Sequence, residues 1–128
     1  MDIIKILVVD DEQEICELTR DFLRKKKYCT LGANSKDEAL DVVKKEKPNL
    51  VLLDVRLGSD SGIETLKEIK AVAPGTRVIM VTALNDEESF NQAKALGADD
   101  FIVKPFTATF LDEVILKKLA EMKLVPKK

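Results

Sequence analysis

The sequence has no histidine and no tryptophan. Without histidine there can be no Ser-His-Asp or Cys-His catalytic arrangement, no histidine-containing zinc site and no phosphohistidine carried by the chain itself. Cysteine is scarce: Cys16 and Cys29 are the two present. They show no C-x-x-C spacing and fall in segments that read as helix and strand, so both are expected to be reduced packing thiols. Long apolar runs are also missing. No stretch approaches the roughly 18 residues of a membrane-spanning helix, and the start MDIIKILVVDDE lacks a signal peptide's apolar stretch and cleavage site. The expected location is the cytoplasm, without membrane insertion. A basic face is absent too. The formal net charge is -2, and apart from RKKK at 24–27 and the terminal KK the cations are scattered, which speaks against direct nucleic-acid binding.

What remains is enough for one globular unit. A chain of 128 residues suits a single domain with one ordinary core. With 45% hydrophobic and 34% charged residues it is too apolar for intrinsic disorder and too charged for a membrane protein. Residues 1–123 are expected to form the domain and 124–128 a polar tail.

Apolar periodicity alternates between short continuous runs and helical stripes. The runs are Ile4 to Val9, Tyr28 to Ala33, Leu50 to Leu53, Val78 to Val81 and Phe101 to Val103, and four of them read as strands buried on both faces, the mark of a parallel sheet. The first stripe carries Ile15, Leu18, Phe22 and Leu23, with RKKK in its last turn where cations suit the helix dipole. The second opens with Ser35-Lys36-Asp37-Glu38, a capping box, presents Ala39, Leu40 and Val43, and is stopped by Pro48. Ile63, Leu66 and Ile69 mark a third helix, ended by Pro74-Gly75. A fourth holds Phe90, Ala93 and Leu96 and stops at Gly97, and a fifth shows Leu111, Val114, Ile115, Leu119 and Met122. The alternation predicts an α/β fold: a doubly wound, five-stranded parallel sheet with right-handed crossovers and helices on both faces, a three-layer sandwich.

In such sheets ligands bind beyond the carboxyl ends of the strands. The residues there are Asp10 and Asp11, Asp54, Thr82 and Ala83, and Lys104 and Pro105. Each alone has an ordinary explanation as a cap, a strand end or a solvated cation. Their placement at the ends of four different strands is harder to explain that way. Two carboxylates 4 Å apart repel by about 4 kcal/mol at an effective dielectric of 20, so a cation should join them. Hard oxygen ligands favour Mg²⁺, with Mn²⁺ as the alternative. A divalent metal beside a carboxylate and an ammonium is a setting for phosphoryl transfer, and a carboxylate oxygen can itself be the nucleophile. Asp54 stands alone on its strand and is the candidate nucleophile. Asp10 and Asp11 are the pair placed to hold metal, and Thr82 could donate a hydrogen bond to a phosphoryl oxygen.

Four blocks in order, ILVVDDE, LVLLDVRLGSDSGIE, VIMVTA and GADDFIVKPF, resemble the CheY-like receiver domain of two-component response regulators over nearly the whole chain. The resemblance implies strand order 2-1-3-4-5 in a flavodoxin-like fold. It implies Asp54 as phosphoacceptor, and Mg²⁺ held by Asp11, Asp54 and the backbone carbonyl of Arg56, with Asp10 assisting. By the same resemblance Thr82, Ala83 and Lys104 would meet the phosphoryl group, the Lys104-Pro105 peptide would be cis, and Phe101 would turn inward on activation, although it also reads as an ordinary core aromatic. Activation would alter the face made by the fourth helix, fifth strand and fifth helix. The implied donor is a sensor histidine kinase or a histidine phosphotransfer protein. The implied output is a downstream protein or a fused output domain. Such a chain is a signalling phosphoprotein that assists its own phosphorylation and slow autodephosphorylation, not a conventional enzyme.

One position departs from the pattern. Many receivers have proline four residues after the phosphoacceptor, where Gly58 stands here; glycine lacks proline's fixed φ, so a more mobile loop is expected. Three rival functions use a related fold or chemistry. A flavodoxin-like electron carrier would need a hydroxyl- and glycine-rich phosphate loop where DDEQE stands. An aspartate-nucleophile phosphatase would need D-x-D on the first strand. A phosphorylation-independent docking module of the same fold stays open. Arg56 and Leu84 flank the expected site and are candidates for tuning phosphoryl lifetime.

Overall fold

The computed structural model describes residues 3–83 and 86–124. Five strands form one parallel sheet: β1 (Lys5–Val9), β2 (Cys29–Ala33), β3 (Leu50–Asp54), β4 (Arg77–Ala83) and β5 (Asp100–Lys104). Their spatial order is β2-β1-β3-β4-β5. Five helices alternate with them: α1 (Gln13–Lys25), α2 (Lys36–Glu46), α3 (Gly62–Val72), α4 (Glu87–Ala95) and α5 (Ala108–Glu121). The expected α/β architecture and strand order are therefore those observed. A feature the periodicity does not reveal follows β3: Arg56–Leu57 pairs antiparallel with Asp60–Ser61 in a small separate ribbon.

The alternation of side chains along the strands makes two cores. Leu7, Val9, Val51, Leu53, Val78 and Met80 point to one face and pack with Ala39 and Val43 of α2, Leu66 and Ile69 of α3 and Ala93 of α4. Ile6, Val8, Leu50, Leu52, Ile79 and Ile102 point to the other and pack with Cys16 and Leu23 of α1 and Leu111, Ile115 and Leu119 of α5. Each wholly buried Leu or Ile contributes about 1.5–3 kcal/mol, so the strand ends are carried on a stiff central slab.

Four helices start on a side-chain cap. The hydroxyls of Ser35, Ser61 and Thr107 and the carboxylate of Asp86 accept from the backbone N–H three residues on. Gly97 sits at φ +96 just past α4, as a helix terminator should. The first helix differs from expectation. Ile15 and Leu18 are 41% and 65% exposed, and the buried residues of α1 are Cys16 and Leu23. The inward face is rotated by one residue, and the half-buried Arg20 lies over Gly32 of β2, where a Cβ would come within 2.9 Å of its Nη1. An arginine stem thus serves as core, and the apolar pair faces outward. Both cysteines are free, Cys16 buried and Cys29 exposed. No helix among the described residues is long and apolar enough to cross a membrane.

Candidate functional site

Parallel strands end together, and that places residues distant in sequence at one rim. Asp10 follows β1 and is 6% exposed; its Oδ1 accepts from the Glu12 N–H at 2.9 Å, and its own N–H donates to the Ala33 carbonyl at 3.1 Å. Asp54, the last residue of β3, is 8% exposed. Its Oδ1 accepts from the Arg56 N–H at 2.9 Å and its Oδ2 from the Lys104 ammonium at 2.5 Å. Lys104 closes β5 and pairs in register with Ala83, the last residue of β4. The Lys104-Pro105 peptide is cis. Asp10, Glu12, Asp54, Lys104, Pro105 and Phe106 share the walls of a cleft of about 360 Å³.

Asp11 and Thr82 are not part of those walls. The exposed Asp11 faces the ribbon, where a Cβ on Gly58 would stand 3.5 Å from its Oδ2. Thr82 is 4% exposed at the end of β4, its hydroxyl donating to the Ala83 carbonyl at 3.4 Å. Phe101 is half-buried against the α2–α4 side of the core, its ring 4.2 Å from that of Phe90 between centroids. Arg56 is exposed at the start of the ribbon, and Ala83 is exposed as well. Leu84 and residues 125–128 of the expected tail lie outside the described residues.

The electrostatics of the cleft are lopsided. Burial pushes the Asp10 carboxyl above the usual carboxylate range, and the charges of Asp54 and Asp11 push the same way; the Glu12 N–H and Lys104 oppose them without prevailing. Burial alone would lower the Lys104 ammonium, but the hydrogen bond and charge of Asp54, with Asp10 and Glu12 behind it, hold it above its ordinary value. Lys104 is therefore cationic at neutral pH, and a second cation would relieve Asp10. Among the described residues no three carboxylate, thiol or imidazole side chains are gathered closely enough to hold a metal ion by themselves. An open, all-oxygen donor set of this kind fits a hydrated Mg²⁺, which takes one or two protein carboxylates and keeps its water.

The ribbon gives Gly58 a defined place. Gly58 has φ +62 and starts a two-residue turn, Gly58-Ser59, between paired residues Leu57 and Asp60. That is where glycine leads a two-residue hairpin turn, and the segment pairs with itself as a short antiparallel ribbon. Proline, fixed near φ −65°, does not fit this turn. Gly62 was not legible as a site residue. A Cβ there would stand 2.1 Å from the Asp54 carbonyl oxygen and 2.7 Å from Val55 Cα. The signal for it was glycine opening a predicted helix, where intrinsic propensity disfavours it.

Residues 6–116 match the family model described as the response regulator receiver domain. The chain is 38% identical over 115 residues to sporulation initiation phosphotransferase F of Bacillus subtilis (strain 168), spanning 90% of this chain and 93% of that protein. It is 40% identical over 119 residues to transcriptional regulatory protein ZraR of Escherichia coli (strain K12), spanning 93% of this chain but only 27% of that protein. Among solved structures, a CheY-like response regulator receiver domain protein from Methanospirillum hungatei JF-1 superposes with a TM-score of 0.91 at 33% identity, covering 95% of this chain and 98% of the other. NtrX from Brucella abortus superposes with a TM-score of 0.89 at 35% identity, over 95% of this chain and 28% of that one. With the sheet order, the rim of acids and the match over most of its length, this chain belongs to the response regulator receiver domain family of two-component signalling.

Proposed function

We propose that this receiver domain accepts a phosphoryl group on Asp54 and uses it to change its affinity for a protein partner. The observation that carries the reading is the Lys104 ammonium bonded to Asp54 at 2.5 Å, with the underpaired Asp10 in the same cleft. An Asp54 oxygen attacks phosphorus; the O–P bond forms as the bond from phosphorus to the donor's imidazole nitrogen breaks, and the electron pair stays on that nitrogen. Asp10, Asp11, Asp54 and the Arg56 carbonyl would hold Mg²⁺, which when bound supplies positive charge to the phosphoryl oxygens. Lys104, 40% exposed and on a flexible stem, exchanges its bond to Asp54 for one to a phosphoryl oxygen. Ala83 leaves room beside the group, and the Thr82 hydroxyl turns from the Ala83 carbonyl toward it.

Phosphorylation adds about −1.5 to −2 charge and new acceptors. Movement of Thr82 opens space beside Phe101, so the α4-β5-α5 face shifts between two packings that the phosphoryl group biases. The donor is a histidine kinase or histidine phosphotransfer protein. The output is a protein contact or a fused output domain, consistent with relatives such as ZraR, of which this chain spans about a quarter. Incubation with Mg²⁺ and acetyl phosphate, followed by intact mass, is expected to show one added phosphoryl group, lost with EDTA and absent in Asp54→Asn. An unmodified native mass would favour the docking-module reading instead.

A further inference from the structure

The acidic rim is carried by two loops that share no strand, and the head of α2 touches both. Asn34, just before the Ser35 cap, donates from Nδ2 to the Asp10 carbonyl at 2.9 Å. Lys36, the first residue of α2, donates its backbone N–H to Asp60 Oδ2 at 3.1 Å. Asp60 lies on the ribbon whose tip, Gly58, stands over Asp11. The turn itself is held from both sides: Glu38 Oε1 accepts the Asn34 N–H at 2.9 Å, and the Ser35 hydroxyl accepts the Glu38 N–H at 3.2 Å. The Lys36 ammonium adds a pair to Glu68 of α3 at 2.5 Å.

We infer that residues Asn34 to Lys36 form a positioning clamp, in which Asn34 fixes the loop of Asp10 and Asp11 while Asp60 fixes the ribbon over Asp11, together setting the spacing of the cation-binding carboxylates. Asn34 directly follows β2 and Asp60 opens the second strand of the ribbon, and neither lines the cleft. Each acts through backbone that others use. The physical reason is that an open, weakly enclosed site depends on its supporting hydrogen bonds for ligand spacing; removing such supports typically weakens metal binding by about tenfold or more. The inference rests on the acidic rim being a Mg²⁺ site, as proposed above.

Charge and support at Asp60 are separable. Asp60→Asn removes the charge but keeps an oxygen for the Lys36 N–H, whereas Asp60→Ala removes both. Titration of the native chain and the variants with Mg²⁺ alone, read by calorimetry, is expected to show about tenfold weaker binding for Asp60→Ala and for Asn34→Ala, with Asp60→Asn close to native. Equal weakening in Asp60→Asn and Asp60→Ala would overturn the clamp in favour of simple charge, as would native affinity in both alanine variants. Amide hydrogen exchange in metal-free buffer provides a second reading. In Asp60→Ala, exchange should accelerate at Lys36 and across the ribbon and not at the centre of β3; unchanged exchange there would also overturn the clamp. Should the native chain take up no Mg²⁺, the metal-site reading falls, and exchange still decides the clamp.

Discussion

Asp10 shows how an ionisable side chain can be held at a cost to the fold. Its folded carboxyl binds a proton more tightly than in the unfolded chain, because burial and the neighbouring Asp54 and Asp11 disfavour its charge. Stability in metal-free buffer should therefore fall as pH rises from the unfolded value through the raised folded value, and the loss persists at neutral pH. Asp10→Asn keeps an oxygen to accept the Glu12 N–H and removes the charge. The variant is expected to melt higher than the native chain in EDTA, by about 1 kcal/mol. It should also gain less from added Mg²⁺, so the two melting curves converge or cross; a lower melting point in EDTA would contradict the account of the cleft. At this scale the acids and lysine at strand ends were legible in the sequence, because parallel strands force their carboxyl ends together. Gly62, Asn34 and Asp60 were not, because what matters at each is a neighbour 8 to 24 positions away. The Asp54 carbonyl, the Asp10 carbonyl and the Lys36 N–H leave no trace in local pattern.

Among the elements, the ribbon after β3 shows a local choice overriding a family habit. Gly58 is in the left-handed region, and the next residue, Ser59, is not. Gly58→Pro should destabilise most, by about 1–3 kcal/mol, since the ring cannot reach a positive φ without breaking the turn. Gly58→Ala should cost about 1–2 kcal/mol, and Gly58→Asn less, because asparagine tolerates this conformation. Chemical denaturation of the three variants gives the order directly; a Pro variant as stable as native would show that the ribbon is not required. Strand and helix positions were readable within a residue or two, since the buried runs and the Ser35, Pro74 and Gly97 boundaries are written in short-range chemistry. The orientation of α1 was not. Ile15 and Leu18 form as good a stripe as Cys16 and Leu23, and the close packing of Arg20 on Gly32, twelve positions away, is not written in either. Nor does RKKK announce that Lys27 ends α1 at φ 72, with the Tyr28 N–H reaching back to the Leu23 carbonyl at 3.3 Å.

Across the whole molecule the two ends of the sheet treat charge in opposite ways. At the amino ends of β4 and β5, Asp99 accepts from Lys70 Nζ at 2.7 Å, the Val78 N–H at 2.8 Å and Arg77 Nη1 at 3.3 Å. Lys118 of α5, 6% exposed, donates to the Asp99 carbonyl at 2.9 Å and pairs with Asp100 at 3.7 Å. Burial would push the Asp99 carboxyl up, but the bonds from Lys70, Val78 and Arg77 and the Lys70 charge outweigh it and hold the group below the ordinary value. The stability this group confers is present above its unfolded pKa of about 3.9 and is lost as pH falls through the lower folded value. Asp99→Asn keeps one acceptor for Val78 and forfeits the charge, so it should lose about 2 kcal/mol at neutral pH. Because the native chain loses the same charge in acid, the gap between native and variant urea midpoints should narrow steadily below pH 4. A gap that stays constant from neutral pH to strong acid would mean that Asp99 acts through shape and not through its charge. Acid thus strengthens the fold at the carboxyl end, through Asp10, and weakens it at the amino end, through Asp99. The end with satisfied charges anchors β4, β5 and α5, and the end with a surplus of carboxylates is where the proposed cation and phosphoryl group would gain by binding.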